Sequence, residues 1–109
     1  MDKRLLSRVN VNDGNCILVK DGFFIGAIEN ISLGGLFVKS DIHLKVMDRI
    51  NLSIFLPGDS GRIDIETDAV ATRVESGGIA LKYDNLGHNE FLILQSYLKR
   101  FFIPSRSTH

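Results

Sequence analysis

Tryptophan is absent from the chain, proline occurs twice and cysteine once, at Cys16. A single thiol can close no internal disulfide and build no structural zinc site, both of which need further sulfur or nitrogen partners. It lies in the apolar run "CILV", the setting of a small buried side chain rather than of a reactive thiol. An excess of either charge is missing as well: Lys+Arg and Asp+Glu number 13 each. No global field therefore attracts a nucleic-acid polymer or an anionic membrane. No stretch approaches the roughly 18 apolar residues of a membrane span. The opening "MDKRLLSRVNVNDG" has charge but no apolar core of about 7 to 15 residues. These absences predict a cytoplasmic protein without membrane insertion, whose "NIS" and "NLS" (Asn30 and Asn51) never meet glycosylation machinery.

Catalytic constellations are lacking too. His43, His88 and His109 lie far apart, with no ligand spacing such as H-x-x-x-H around them, so they read as loop, helix-start and tail residues. Asp64, Glu66 and Asp68 alternate along one segment, the pattern of the solvated outer face of a strand. The glycines of "GGLFV" open no helix, and neither a dinucleotide fingerprint nor a phosphate-binding loop motif is present. The expectation is no enzyme: no catalytic residues, no metal and no cofactor.

What is present suits one ordinary domain of 109 residues, 44% hydrophobic and 24% charged, with no internal repeat or linker. "NCILVK" and "FFIGAIENIS" flank Asp21-Gly22 and read as a hairpin. In "RINLSIFLP" Ile50, Leu52, Ile54 and Leu56 fall on one face, the signature of a half-buried antiparallel strand. "PGDSG" turns the chain into "RIDIETDAVATRV", where a shift of apolar parity predicts a bulge near Thr67-Asp68. "ESGG" turns it again into "GIALKYD", with Ile79, Leu81 and Tyr83 on one face. About six short strands over 15–84 point to a barrel or sandwich. The period then changes, and residues 88–102 form one amphipathic helix with Phe91, Leu94 and Leu98 on its apolar face, stopped before Pro104. That stripe packs either on one end of the barrel or on a second copy, which would make a homodimer through the C-terminal helix.

One stretch interrupts itself. "ENISLGGLFVKS" begins as a strand, with Asn30 and Ser32 two apart and so on one side of it, and then runs into two glycines. A glycine there either lets the backbone be approached closely or lets the chain turn. At the other end of the chain Lys3, Arg4 and Arg8 stand in "DKRLLSRV", ahead of the first strand, in a segment (1–10) expected as an exposed, flexible arm. At ordinary residue frequencies R-x-x-x-R arises in roughly one such chain in three and [DN]-x-S-x-x-G in about one in twenty; in this order and at a restricted separation they coincide in about one per cent or less.

The pair Arg4-Leu5-Leu6-Ser7-Arg8 and Asn30-Ile31-Ser32-Leu33-Gly34-Gly35, separated by a first hairpin, resembles the two motifs of PilZ domains, bacterial receptors for the second messenger cyclic di-GMP. The resemblance covers nearly the whole chain, since "LPGDSGRIDIETDAVATRVESGGIALKYDNL" is similar to that family's later strands and the family also ends in a helix. It implies a mainly β fold, a six-stranded antiparallel barrel with a C-terminal α-helix, over a single domain 1–109. It also implies a ligand, cyclic di-GMP, held by Arg4, Arg8, Asn30, Ser32 and Gly35, with Lys3 and Arg73 as further candidate contacts. The chemistry agrees: the planar Arg fork pairs with phosphate or with guanine O6/N7, and Asn and Ser offer donors and acceptors to a guanine edge. The expected mechanism is an arm that orders over the ligand and signals through an unidentified downstream protein. The alternatives are a PilZ-like adaptor that binds no nucleotide and a small barrel for single-stranded nucleic acid; zero net charge disfavours the latter.

Overall fold

Strict alternation is what the barrel is made from. Ile50, Leu52, Ile54 and Leu56 are all buried, Leu52 completely, while Asn51, Ser53 and Phe55 stay at the surface. The computed structural model describes residues 3–102, so Met1, Asp2, Pro104 with the expected helix stop, and His109 lie outside the described residues. Seven strands follow a 3-10 turn at Lys3–Leu6: β1 (Val9–Asn10), β2 (Asn15–Val19), β3 (Phe23–Ile31), β4 (Gly35–Ser40), β5 (Arg49–Gly58), β6 (Gly61–Glu75) and β7 (Gly78–Asp84). Every pairing is antiparallel, in the order β1-β3-β2-β5-β6-β7-β4. Because β4 also pairs with β3, β2 to β7 close into a ring of six and β1 is an extra strand laid on the end of β3. This is the expected six-stranded barrel with one addition. Closure leaves the ring no free edge over its paired length.

Two register slips interrupt the ring, and neither is where sequence patterning put it. The bulge expected near Thr67-Asp68 is displaced to Ala71/Arg73, because Thr67, Ala69 and Ala71 carry on the inward parity of Ile65 with small or weakly polar side chains. Thr67 remains satisfied by donating its hydroxyl to the Asp68 carbonyl at 3.0 Å. The second slip falls on β3 between Ile28 and Asn30, so that Glu29 and Asn30 both face outward. Cys16 lies fully buried inside, and desolvation pushes its thiol up to about 12, as expected of an inert core residue.

The helix α1 (His88–Lys99) ends three residues before the expected boundary. Arg100, Phe101 and Phe102 still donate backward, but to the third residue before each (Tyr97, Leu98 and Lys99), so the last turn tightens to a 3-10 form. Leu94, Tyr97 and Leu98 are buried against β6 and the N-terminal 3-10 turn. The apolar stripe is thus used within the chain, while Leu92, Ile93 and Phe101 remain exposed. No helix of the described residues is long and apolar enough to cross a membrane.

Residues 3–10 are better anchored than an exposed arm. Leu5 is only 1% exposed and belongs to the core, and its carbonyl accepts the Leu33 N–H at 2.8 Å. Val9 and Asn10 pair with Ile31 and Asn30. The expectation of an exposed arm missed this, because a single well-placed leucine supplies the anchor. The barrel core is tested by Leu52→Ala: deleting a fully buried side chain should lower stability by about 2–5 kcal/mol, read as a shift of the urea midpoint without a change of slope.

Candidate ligand-binding face

Strand β3 ends at Ile31, and the four residues that follow turn the chain into β4. Ser32 does not continue the strand face that Asn30 occupies. It is 5% exposed, and its Oγ accepts the N–H groups of Gly34 (3.1 Å) and Gly35 (3.3 Å), while its own N–H donates to the Gly35 carbonyl at 2.8 Å. The hydroxyl therefore shapes the turn, a role in which serine commonly competes with regular backbone pairing. Gly35 is required for the close backbone approach the sequence suggested, but the group that approaches is the neighbouring strand. A Cβ there would run into the Leu81 carbonyl oxygen and sit 3.2 Å from the Cα of Lys82, its partner across the β4–β7 pair. Gly34 is exposed, and a Cβ on it would meet only the Ser32 Oγ, at 3.9 Å.

The two halves of the expected site meet at Asn30. Arg8 Nη1 donates to Asn30 Oδ1 at 3.1 Å on the outside of the barrel. Arg4 is directed elsewhere: its Nη1 donates to the Phe102 carbonyl at 3.3 Å, and its guanidinium carbon lies 5.5 Å from the centroid of the Phe102 ring. Lys3 is exposed on the same 3-10 turn. The structure thus brings together Arg8 and Asn30, places Ser32 and Gly35 directly behind them in the turn, and leaves Arg4 against the end of the helix.

Arg73 enters through strand register. Asn30 pairs with Phe37, Phe37 with Ala80, and Ala80 with Arg73, so these four form one row across β3, β4, β7 and β6. Their neighbours Leu36, Val38, Ile79 and Leu81 point into the core, which turns Phe37 and Ala80 to the outer side of the sheet, where both are nevertheless covered, at 9% and 1% exposed. A bulge bounds the row on each side, with Glu29 and Asn30 at one end and Thr72 and Arg73 at the other. The Arg73 guanidinium lies 5.7 Å from the Phe37 centroid and donates from Nε to Glu75 at 2.5 Å. At about 4.8 Å per strand, the row spans roughly 14 Å.

Two contributors escaped the sequence reading. Phe37 sits in an apolar run in which outward and inward positions look alike. Tyr83 reads as a core residue and is one, yet its Oη donates to the carbonyls of Ser32 (3.0 Å) and Gly35 (3.3 Å). The available signal was the phenol itself, since a buried hydroxyl must find a partner. Burial drives its pKa well up, and the positive charge of Arg8 pulls the other way. A groove of about 1000 Å³ elsewhere, between Ser40–Leu44 and the Ser76–Gly78 turn, touches none of Arg4, Arg8, Asn30, Ser32 or Gly35. Arg8 and Arg73, at the two ends of the row, are exposed. Among the described residues no group of three His, Cys, Asp or Glu side chains is placed to hold a metal ion. His43 lies in the loop before β5 and His88 at the start of α1.

The PilZ domain family model matches residues 2–100. Among solved structures, the chain is similar to the Bacillus subtilis inhibitor of motility MotI/DgrA, at 22% identity and a TM-score of 0.76 over 87% of this chain and 49% of that one. It thus spans about half the length of that protein. The PilZ domain of CeSA from a cellulose-synthesizing bacterium is 14% identical with a TM-score of 0.66, over 89% of this chain and 99% of that one. The PilZ domain of Escherichia coli YcgR, solved with c-di-GMP, is 15% identical with a TM-score of 0.65, over 88% and 91%. At these identities the likenesses establish the fold. No curated protein matches the chain in sequence.

The two glycines of the turn should separate under substitution. Gly35→Ala overpacks a backbone contact and should cost about 1–3 kcal/mol of stability, whereas Gly34→Ala should leave the thermal midpoint nearly unchanged. Equal midpoints for the two variants would contradict the packing role given to Gly35.

Proposed function

The chain belongs to the PilZ domain family, a family of cyclic di-GMP receptors, and from that premise we propose that it binds cyclic di-GMP on the outer face bounded by Arg8 and Asn30 at one end and Arg73 at the other. The observation that carries the reading is the 3.1 Å hydrogen bond from Arg8 to Asn30, which joins two motifs 22 residues apart on one exposed spot. Cyclic di-GMP presents two phosphodiester charges and two guanines. The Arg8 fork meets a phosphate or the O6/N7 edge of a guanine, with Asn30 Oδ1 accepting from a base beside it. At the far end of the row the exposed Arg73 guanidinium, backed by the buried Phe37 ring, offers a planar cation on which a base can stack. The Arg73 to Glu75 and Lys39 to Glu29 pairs are exposed and cost little to exchange for a phosphate contact.

In this reading Ser32 and Gly35 serve the ligand through the turn they build. Leu5 anchors the arm, so what orders on binding is the set of cationic side chains on it, Lys3, Arg4 and Arg8, and not the whole of residues 1–10. Arg4 reaches a phosphate by leaving the Phe102 carbonyl and ring, which changes the surface at the end of α1. A downstream protein then reads the surface so altered. The role is regulatory binding and not catalysis.

Calorimetry with cyclic di-GMP tests the proposal. A charge-assisted hydrogen bond contributes about 1.5–3 kcal/mol, so Arg4→Ala and Arg8→Ala should each weaken affinity by roughly tenfold to a hundredfold or more. Linear GMP should compete poorly. If saturating cyclic di-GMP gives the wild-type chain neither heat nor a thermal shift, the receptor reading fails.

A further inference from the structure

The Ser32–Gly35 turn is held from inside the barrel by a residue about fifty positions further along the chain. Tyr83 projects inward from β7 and is buried among core side chains. Its hydroxyl proton is shared between the carbonyls of Ser32 at 3.0 Å and Gly35 at 3.3 Å, and its backbone N–H donates to the carbonyl of Gly34 at 3.2 Å. Three of the four carbonyls in the turn therefore end on this one residue. The fourth residue, Leu33, donates its N–H to Leu5 and so ties the same turn to the N-terminal segment.

We propose that Tyr83 is a positioning residue for the ligand face: from the core it fixes the Ser32–Gly35 turn, and through that turn the placement of Asn30 on one side, Phe37 on the other and the Leu5-anchored arm in front. The proposal rests on the cyclic di-GMP reading given above, and Tyr83 touches no ligand in it. The turn's other restraints are the Leu33 link to Leu5 and the turn's own bonds, in which the Ser32 N–H and hydroxyl both donate to the Gly35 carbonyl, at 2.8 and 3.3 Å. Its side chains supply the Ser32 hydroxyl, already committed to the amides of Gly34 and Gly35, and Leu33, buried in the core. Without the phenol, the Ser32 carbonyl loses its side-chain donor in a buried place, whereas the Gly35 carbonyl keeps the Ser32 N–H. The loosening is thus confined to the turn, and the barrel pairing of β7 with β4 and β6 is untouched. The charge of Arg8 acts on the phenol as well, since the core side of this turn and the arm are close neighbours.

Tyr83→Phe keeps the ring and removes only the hydroxyl. The variant should bind cyclic di-GMP about tenfold more weakly than the wild type, because a turn no longer held in the free chain must be ordered on binding. Its denaturation midpoint should move no further than that of Ile54→Val, a core variant remote from the turn that should keep wild-type affinity. Amide exchange should quicken at Gly34 and Gly35 and stay unchanged at Leu18. A Tyr83→Phe affinity within twofold of wild type overturns the positioning role and leaves the receptor reading standing. A wild-type chain that binds no cyclic di-GMP removes that reading and this proposal together. A second measurement needs no substitution: titrating wild type with cyclic di-GMP should shift the Tyr83 ring resonances, and unmoved resonances at saturation overturn the role even if the variant does not fold.

Discussion

Strand β4 can join β7 at Gly35 only because that position has no side chain: the space a Cβ would need is taken by the Leu81 carbonyl. This close approach sets where β4 begins, and so which of its residues face out. Phe37 then falls beside Asn30 on one flank and Ala80 on the other, and closure of the ring follows. The bulges on β3 and β6 lie at the same level as this pair and add an outward residue on each side. A row of polar, aromatic and cationic side chains on an otherwise ordinary barrel wall is the result. The tight turn from Ser32 to Gly35 is thus a structural requirement first, and the proposed ligand face is built on it.

Much of the architecture was legible in the sequence, and the exceptions have identifiable causes. Alternation at Ile50, Leu52, Ile54 and Leu56 is unambiguous because large aliphatic residues mark every inward position. On β6 the inward positions are Thr67, Ala69 and Ala71, too small or polar to register, and the bulge was therefore expected two periods of the alternation too early. The same limitation hid the outward orientation of Phe37. The resemblance of the two motifs placed Arg8 with Asn30, but it could not show that Ser32 turns inward, since the strand ends one residue before it. Leu5 was invisible as an anchor because burial of one residue depends on a tertiary surface formed by distant segments. Tyr83 was recognised as core, while its hydrogen bonds to a turn in another part of the chain depend on register that no local pattern encodes.

A zero net charge is compatible with binding a dianion, because the relevant charge is local. Asp64, Glu66 and Asp68 lie exposed on β6 alongside β5, where Asn51 donates to Glu66 and Asp68. Arg8 and Arg73 flank the proposed face instead. A polymer needs a long basic track, and counterion release makes its binding scale with the number of phosphates met. A compact cyclic dinucleotide needs only a few well-placed cations with planar donors, which is what a row of about 14 Å supplies. The contact of Arg4 with Phe102 links that row's arm to the end of the helix, where the proposed binding would alter the outer surface.

The central claim is spatial: one particular strip of barrel wall carries the ligand. Backbone amide shifts mapped during titration with cyclic di-GMP test it most directly. The account predicts that the perturbations trace Arg8, Asn30, Gly34, Phe37, Ala80 and Arg73, extend weakly to Phe102, and spare Asp64, Glu66 and Asp68. Saturable shifts centred instead on the groove at Ser40–Leu44, with Arg8 and Asn30 unmoved, would contradict it.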